Sequence, residues 1–288
     1  MWIIWALLSA IFAASRRPFE KNVINNMHHF TYGFLIQCIS LPLLIILTII
    51  NHQLLNPLKL GFDFWIPVLV VSIGFYPLNS YLYKHAIKNG ELSKVLPLQS
   101  LVPVFALFLA WATIKEVPGA IAVSGIIITV LGVYALGLKG KRLHHPLEPF
   151  RQDISSRAML AGVLLVAVVS IFDKIAINAS NPLFYSLVST LGAIITLFIA
   201  MAISNQNIRN TQSVMPKLGI IGGLQGVTYA TYLLAIGSGP IAYITAIRGS
   251  NILIGSIIGI IIFKEKLTKA KILSYLLIIF GSVLISLG

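Results

Sequence analysis

Two charged side chains sit inside runs that are otherwise apolar, and that is where chemistry is to be expected. Arg248 lies about eight residues into the apolar segment after Pro240, roughly 12 Å along a helix axis at 1.5 Å per residue. Placing an arginine near the middle of a membrane helix costs about 2.5–3.5 kcal/mol on insertion scales, so the guanidinium should face a partner or a wet cavity. A guanidinium is always charged and forks onto carboxylates, which suits it to hold a carboxylated solute. Snorkelling to the interface, or a structural ion pair with Asp173, is the plainer alternative. Asp173, followed by Lys174, comes late in the run that starts at Met159. An acid there can titrate and couple transport to protons, or it can neutralise a cation. A solvated pair near a helix end would do neither.

Around these two lies a set of tyrosines and amides. Tyr76, Asn79, Ser80 and Tyr83 fall in one apolar run, and Gln225, Tyr229 and Tyr232 in another. Rings supply apolar contact and hydroxyls orient, so tyrosines with amides suit an amphipathic organic solute. Tyr83 and Tyr232 stand near run ends, where tyrosine collects at membrane interfaces. Tyr243, Thr245 and Asn251 add polarity to the run that carries Arg248, and Gln99 is its counterpart in the first half of the chain. The substrate-binding candidates are therefore Arg248, Gln99, Asn251, Tyr76, Asn79, Tyr229 and Tyr243, with Asp173 as the proton-coupling candidate.

Other patterns carry no chemistry. Gly237-Ser-Gly239-Pro-Ile-Ala242 fits a dinucleotide fingerprint by letters, but it joins two apolar runs and follows no strand. The chain has neither GxxxxGK[ST] nor HExxH, and its single cysteine, Cys38, excludes an intramolecular disulfide framework. His28-His29 and His144-His145 are adjacent pairs in or near loops and are read as solvated. No cofactor and no catalytic set is expected. An intramembrane enzyme would need clustered acids, histidines or a metal set at depth, and the runs offer Asp173 alone.

The elements that must position these residues follow from composition. The chain is 57% hydrophobic and 10% charged over 288 residues, with a mean hydropathy of +0.92. That leaves too little charge for a water-facing surface, so lipid is the solvent. The formal net charge of +13 sits in short loops between apolar runs, which fits membrane orientation and not nucleic acid. The runs lie at about 1–15, 30–50, 63–83, 91–113 and 118–138, then at about 158–178, 182–203, 216–237, 240–263 and 269–287. Pro97 and Pro103 should kink the fourth. Barrel strands alternate apolar and polar side chains and these runs do not, so all ten are read as helices.

The two halves match at a constant offset of 149 residues: Tyr83 with Tyr232, Ala86 with Ala235, Ile87 with Ile236 and Gly90 with Gly239. Lys115, Glu116 and Gly132 then match Lys264, Glu265 and Gly281 without a gap. This predicts a first repeat over 1–138, a central loop over 139–157 and a second repeat over 158–288. Five spans per half make the second repeat inverted, an arrangement that places a substrate site at the repeat interface. Gly222 and Gly226, and Gly255 and Gly259, have the spacing that lets helices approach closely. Of the 21 basic residues, only Lys59, Lys115, Lys174 and Arg248 lie away from the loops after odd-numbered spans. The positive-inside rule then puts the central loop in the cytoplasm and both termini outside.

The segments ending Ile114-Lys115-Glu116 and Phe263-Lys264-Glu265, each followed by a span with a late glycine, carry a resemblance over nearly the whole chain. It is similar to the drug/metabolite transporter superfamily, EamA type. The resemblance implies ten helices in two inverted five-helix repeats around a central cavity. It also implies export or exchange of a small metabolite across a membrane, taken here as a prokaryotic plasma membrane; Arg248 is what suggests an amino acid or other carboxylated compound. Efflux of cationic drugs is the alternative within transport. The family is drawn with both termini in the cytoplasm, opposite to the charge pattern.

Overall fold

The computed structural model describes residues 1–25, 27–89, 96–137, 154–206, 211, 214–251, 253–254 and 269–287. Among them the chain is helical with no strand. The helices are α1 (Trp2–Asn25), α2 (His29–Ile50), α3 (Phe62–Leu69), α4 (Tyr76–Asn89), α5 (Val102–Ile114) and α6 (Ala120–Gly137). The second half supplies α7 (Ile154–Asn178), α8 (Pro182–Ile203), α9 (Met215–Ser238), α10 (Ile241–Gly249) and α11 (Lys269–Leu287). A π-helical stretch, Val70–Phe75, joins α3 to α4, so these form one span. Among the described residues, five spans are long and apolar enough to cross a bilayer, and three shorter apolar helices accompany them. The protein is an all-helical, multi-pass membrane protein.

Three local outcomes bear on the sequence reading. The first run was expected to end at Ser15, yet α1 continues to Asn25 through Arg16 and Pro18. The Arg16 Nε pairs with Glu20 at 2.8 Å, and the Tyr32 hydroxyl donates to the same Glu20 oxygen at 2.8 Å, so charge is carried along the helix by partners. The fourth span is irregular between Pro97 and Pro103: a 3₁₀ stretch, Leu96–Leu101, gives way to α5 with Pro103 in its first turn, where a missing N–H costs nothing. The third span is irregular as well, which was not expected. Pro67 cannot donate to the ladder, and three residues on the bonding lengthens, the Tyr76 N–H reaching the Val71 carbonyl. The loop 139–153, Gly90, Gly255, Gly259 and the Lys264-Glu265 pair lie outside the described residues.

The described chain forms two compact units. The first comprises Met1–Tyr81 and Phe172–Ser238, the second Leu82–Ile171 and Gly239–Gly288, so each draws on both halves of the sequence. In the first, α1 packs on α9, and α2 packs on α8 and α9. Gly222 and Gly226 sit where α9 meets α2: a Cβ at Gly226 would come within 3.2 Å of the Ser40 carbonyl. In the second, α6 packs along α11, and α10 packs on α5 and α6.

Within each unit the repeat shows as reciprocal contact. The 149-residue offset pairs Thr129 with Ile278 and Gly132 with Gly281. A Cβ at Gly132 would lie 2.9 Å from the Ile278 nitrogen, and one at Gly281 would lie 2.7 Å from the Thr129 nitrogen. The contact of 132 with 278 is thus mirrored by that of 281 with 129, the mark of a two-fold axis. In the first unit the Thr48 hydroxyl, which donates to the Leu44 carbonyl at 2.7 Å, also lies 3.3 Å from the Leu183 carbonyl. The offset turns this pair into Leu197 and Phe34, and there Gly33 approaches Leu197 while Phe34 packs on Phe198 with ring centroids 5.8 Å apart.

Candidate functional site

The first unit holds a polar interior. An Asn181-Pro182 turn sets it up: the Asn181 side chain accepts from the Phe184 N–H at 2.8 Å and caps α8, with Pro182 at its start. The turn folds α8 back along the end of α7 and brings Tyr185 onto Asp173. The Tyr185 hydroxyl donates to the Asp173 carboxylate at 2.6 Å, and both side chains are buried. Asp173 is 1% exposed, which excludes the solvated reading. Lys174 diverges from its neighbour. Its ammonium donates to the Ile236 carbonyl at 2.7 Å, satisfying an otherwise open group in the last turn of α9.

Beside this pair lies a cavity of about 10 Å³, close to the least that holds one water. It is lined by Gln37 of α2, Ser72 of the π stretch, Tyr76 of α4, Ser189 and Thr190 of α8, and Tyr229 of α9, with Val71 and Ala193 completing the wall. The irregular third span aims two of these. Ser72 packs against Gly192, where an added Cβ would come within 2.7 Å of its side chain, and its hydroxyl donates to the Ser189 carbonyl at 3.2 Å. Tyr76 accepts from the Gln37 amide, and Tyr229 is 3.0 Å from the Ser189 hydroxyl. Asp173 and Tyr229 are within electrostatic reach of each other, as are Arg16 and Tyr76. Asn79, one turn beyond Tyr76 on α4, is half-buried.

The second unit holds the remaining candidates. Arg248 stands half-buried in the last turn of α10, whose C-terminal end favours a cation. The helical bonding tightens there for one residue and resumes, the Ile254 N–H reaching the Ser250 carbonyl at 3.0 Å. Ser250 caps the helix through a turn in which its N–H reaches the Ile247 carbonyl at 3.0 Å, and Asn251 follows, half-buried. Glu116 fixes the other end of α10 by accepting from the Ile241 N–H at 2.9 Å, while Lys115 adopts the left-handed conformation that ends α5. The Tyr243 hydroxyl accepts from the Gly119 N–H at 3.1 Å, tying α10 to the turn before α6. Gln99 is half-buried, with its amide 3.9 Å from the Met159 sulfur.

The candidate residues therefore divide. Asp173, Tyr76, Asn79 and Tyr229 belong to the first unit, and Arg248, Gln99, Asn251 and Tyr243 to the second. Tyr83 is exposed, as a membrane-interface tyrosine should be, but Tyr232 is buried. His28 is exposed, as read, and His29 is half-buried with its ring against Phe30 and Tyr81. Sequence reasoning passed over Gln37, Tyr185, Ser189 and Thr190. A signal existed for Tyr185: the Asn181-Pro182 pair marks a turn between it and Asp173, so a helical hairpin can bring the two together.

A family model described as the EamA-like transporter family matches residues 1–138 and again 156–287. No curated protein matches by sequence. Among solved structures, one titled "Crystal structure of protein" superposes with a TM-score of 0.80 over 99% of this chain and 96% of its own, at 12% identity. A likeness at that identity concerns the fold.

Proposed function

The chain belongs to the EamA-like transporter family, a family of membrane transporters, and from that premise we propose that it is a secondary transporter of a small organic metabolite. The solute is carboxylated, an amino acid or similar compound, and is exported or exchanged by alternating access across a prokaryotic plasma membrane. Asp173 couples the cycle to protons. The proposed substrate-binding residues are Tyr76, Asn79 and Tyr229 in the first unit, and Arg248, Gln99, Asn251 and Tyr243 in the second. The observation that carries this reading is a fully buried carboxylate beside a hydroxyl- and amide-lined cavity in a chain that is otherwise apolar. Such groups at membrane depth are costly, and a transport pathway is their usual reason. The same buried Asp173 favours a second reading, efflux of organic cations.

The test is metabolite-resolved uptake and efflux in liposomes holding the purified protein, with and without a pH gradient. Carboxylated metabolites should cross only in protein-containing vesicles, and faster with the gradient. Movement of lipophilic cations alone would transfer the assignment to the second reading, and no movement of either would remove both.

A further inference from the structure

The first unit holds a second charged cluster, on α1 and α2. The Arg16 Nε lies 2.8 Å from the Glu20 Oε1, and the Tyr32 hydroxyl of α2 donates to that same oxygen at 2.8 Å. A guanidinium and a phenol thus converge on one carboxylate oxygen. That is the donor set of a carboxylate receptor, and its occupant here comes from the protein's own chain. The receptor does not depend on the occupant for its shape. Arg16 and Tyr32 stand on different helices, each of which packs on α9, and the Tyr32 ring packs against the buried cluster of Val23, Ile36 and Leu218.

The ion pair itself is of the kind that exchanges partners. Arginine precedes glutamate by one turn, the order opposite to the one a helix dipole favours. The two side chains remain 24% and 16% exposed, so water and small solutes reach them, and pairs so placed are weak. Their position matters as well. Arg16 and Tyr32 are both within electrostatic reach of Tyr76, one of the proposed substrate residues. One guanidinium with one phenol, already matched to a carboxylate, suits a planar monoanion better than a phosphate.

We propose that Arg16 and Tyr32 form a carboxylate-binding site in which Glu20 is the resident occupant and the carboxylate of the transported solute its competitor. The solute group accepts from the guanidinium and from the Tyr32 hydroxyl while Glu20, already part-exposed, turns to water. The proposal rests on the reading of the solute as carboxylated, and it adds a contact in the first unit to the one assigned to Arg248 in the second.

The experiment removes the occupant and offers its fragment back. Acetate is the part of the side chain that Glu20→Ala deletes. Thermal unfolding of the purified full-length protein is followed in sodium acetate and sodium chloride at equal ionic strength, and in acetamide. Acetate should raise the melting temperature of Glu20→Ala saturably, as a ligand of the folded state does, and acetamide should not. In the wild-type protein Glu20 competes, so the apparent Kd for acetate should be about tenfold higher or more. Glu20→Gln, which keeps the side-chain length, should also bind acetate more tightly than wild type. Adding Arg16→Gln to Glu20→Ala should abolish the response. No response in folded Glu20→Ala or Glu20→Gln protein would overturn the proposal and leave a structural triad. An equal response with and without Arg16 would overturn it too. A stronger response to inorganic phosphate than to acetate would overturn it in favour of a lipid-headgroup site. Acetate bound as expected, with no carboxylated metabolite crossing liposomes, would uphold the carboxylate site and count against the proposed function.

Discussion

The two units use one construction for opposite ends. In each, a helix of the first half lies against its counterpart from the second, α2 on α8 and α6 on α11, through reciprocal contacts. Along α6 and α11 the contact is backbone on backbone: Gly125, Gly132 and Gly281 let the chains approach until an added Cβ has nowhere to go. Along α2 and α8 the helices are lined with hydroxyls and an amide, and space remains between Gln37, Ser189 and Thr190. Small residues without polar atoms pack a membrane seam tightly, whereas polar ones hold it open around something that must meet them. Duplication supplied two equivalent seams, and side-chain chemistry made one structural and the other a candidate for binding.

The largest effect should come from the glycine seam. Gly281→Leu puts a side chain against the Thr129 and Gly125 backbone, which cannot yield as a side chain could. Overpacking of this kind costs about 1–3 kcal/mol and sometimes more, and with a backbone obstacle we expect the upper end. The yield of monodisperse protein and its melting temperature should fall sharply. Gly219→Leu on α9, whose Cβ has nothing within 4 Å, should leave both unchanged. Equal tolerance of the two changes would dissolve the distinction between the seams.

A smaller effect is expected at Arg248, where the repeats themselves differ, the first half having Gln99 at the equivalent place. Arg248→Gln copies the first repeat into the second. If the guanidinium holds a substrate carboxylate, the folded variant should bind the substrate about tenfold to a hundredfold more weakly, the worth of a charged hydrogen bond. Arg248→Lys, which keeps charge but loses the fork, should fall between. Wild-type affinity in a well-folded Arg248→Gln protein would make this arginine a helix-end cation and no more.

What the sequence made legible is what costs most to bury. Arg248 and Asp173 stood out because charge is rare in apolar runs, and the turn glycines and Lys-Glu pairs marked the repeat. Glu116, one of those repeat markers, proves to cap α10. The hydroxyl groups were silent. A serine or threonine in a membrane helix ordinarily bonds to its own backbone, so nothing in its letter says that Thr190 leaves that bond unmade. The π stretch was silent for a related reason, since Pro67 announces a disturbed ladder but not whether a kink or a lengthened bond resolves it. The first span was ended at Ser15 because of the charge that follows it. Glu20 stands four residues after Arg16 on the same helix, but the Tyr32 hydroxyl that also meets Glu20 comes from α2 and joins only in the fold.

The central claim is that the buried carboxylate of the first unit drives transport, and Asp173→Asn addresses it with little change of shape. The measurement is the ratio of internal to external substrate reached in proteoliposomes under an imposed pH gradient, taken beside the rate of substrate exchange with no gradient. We expect exchange to persist and accumulation against the gradient to collapse to equality, because the amide can accept from Tyr185 but cannot release a proton. Accumulation by the Asp173→Asn protein at the wild-type ratio, with an unchanged dependence on pH, would contradict the account.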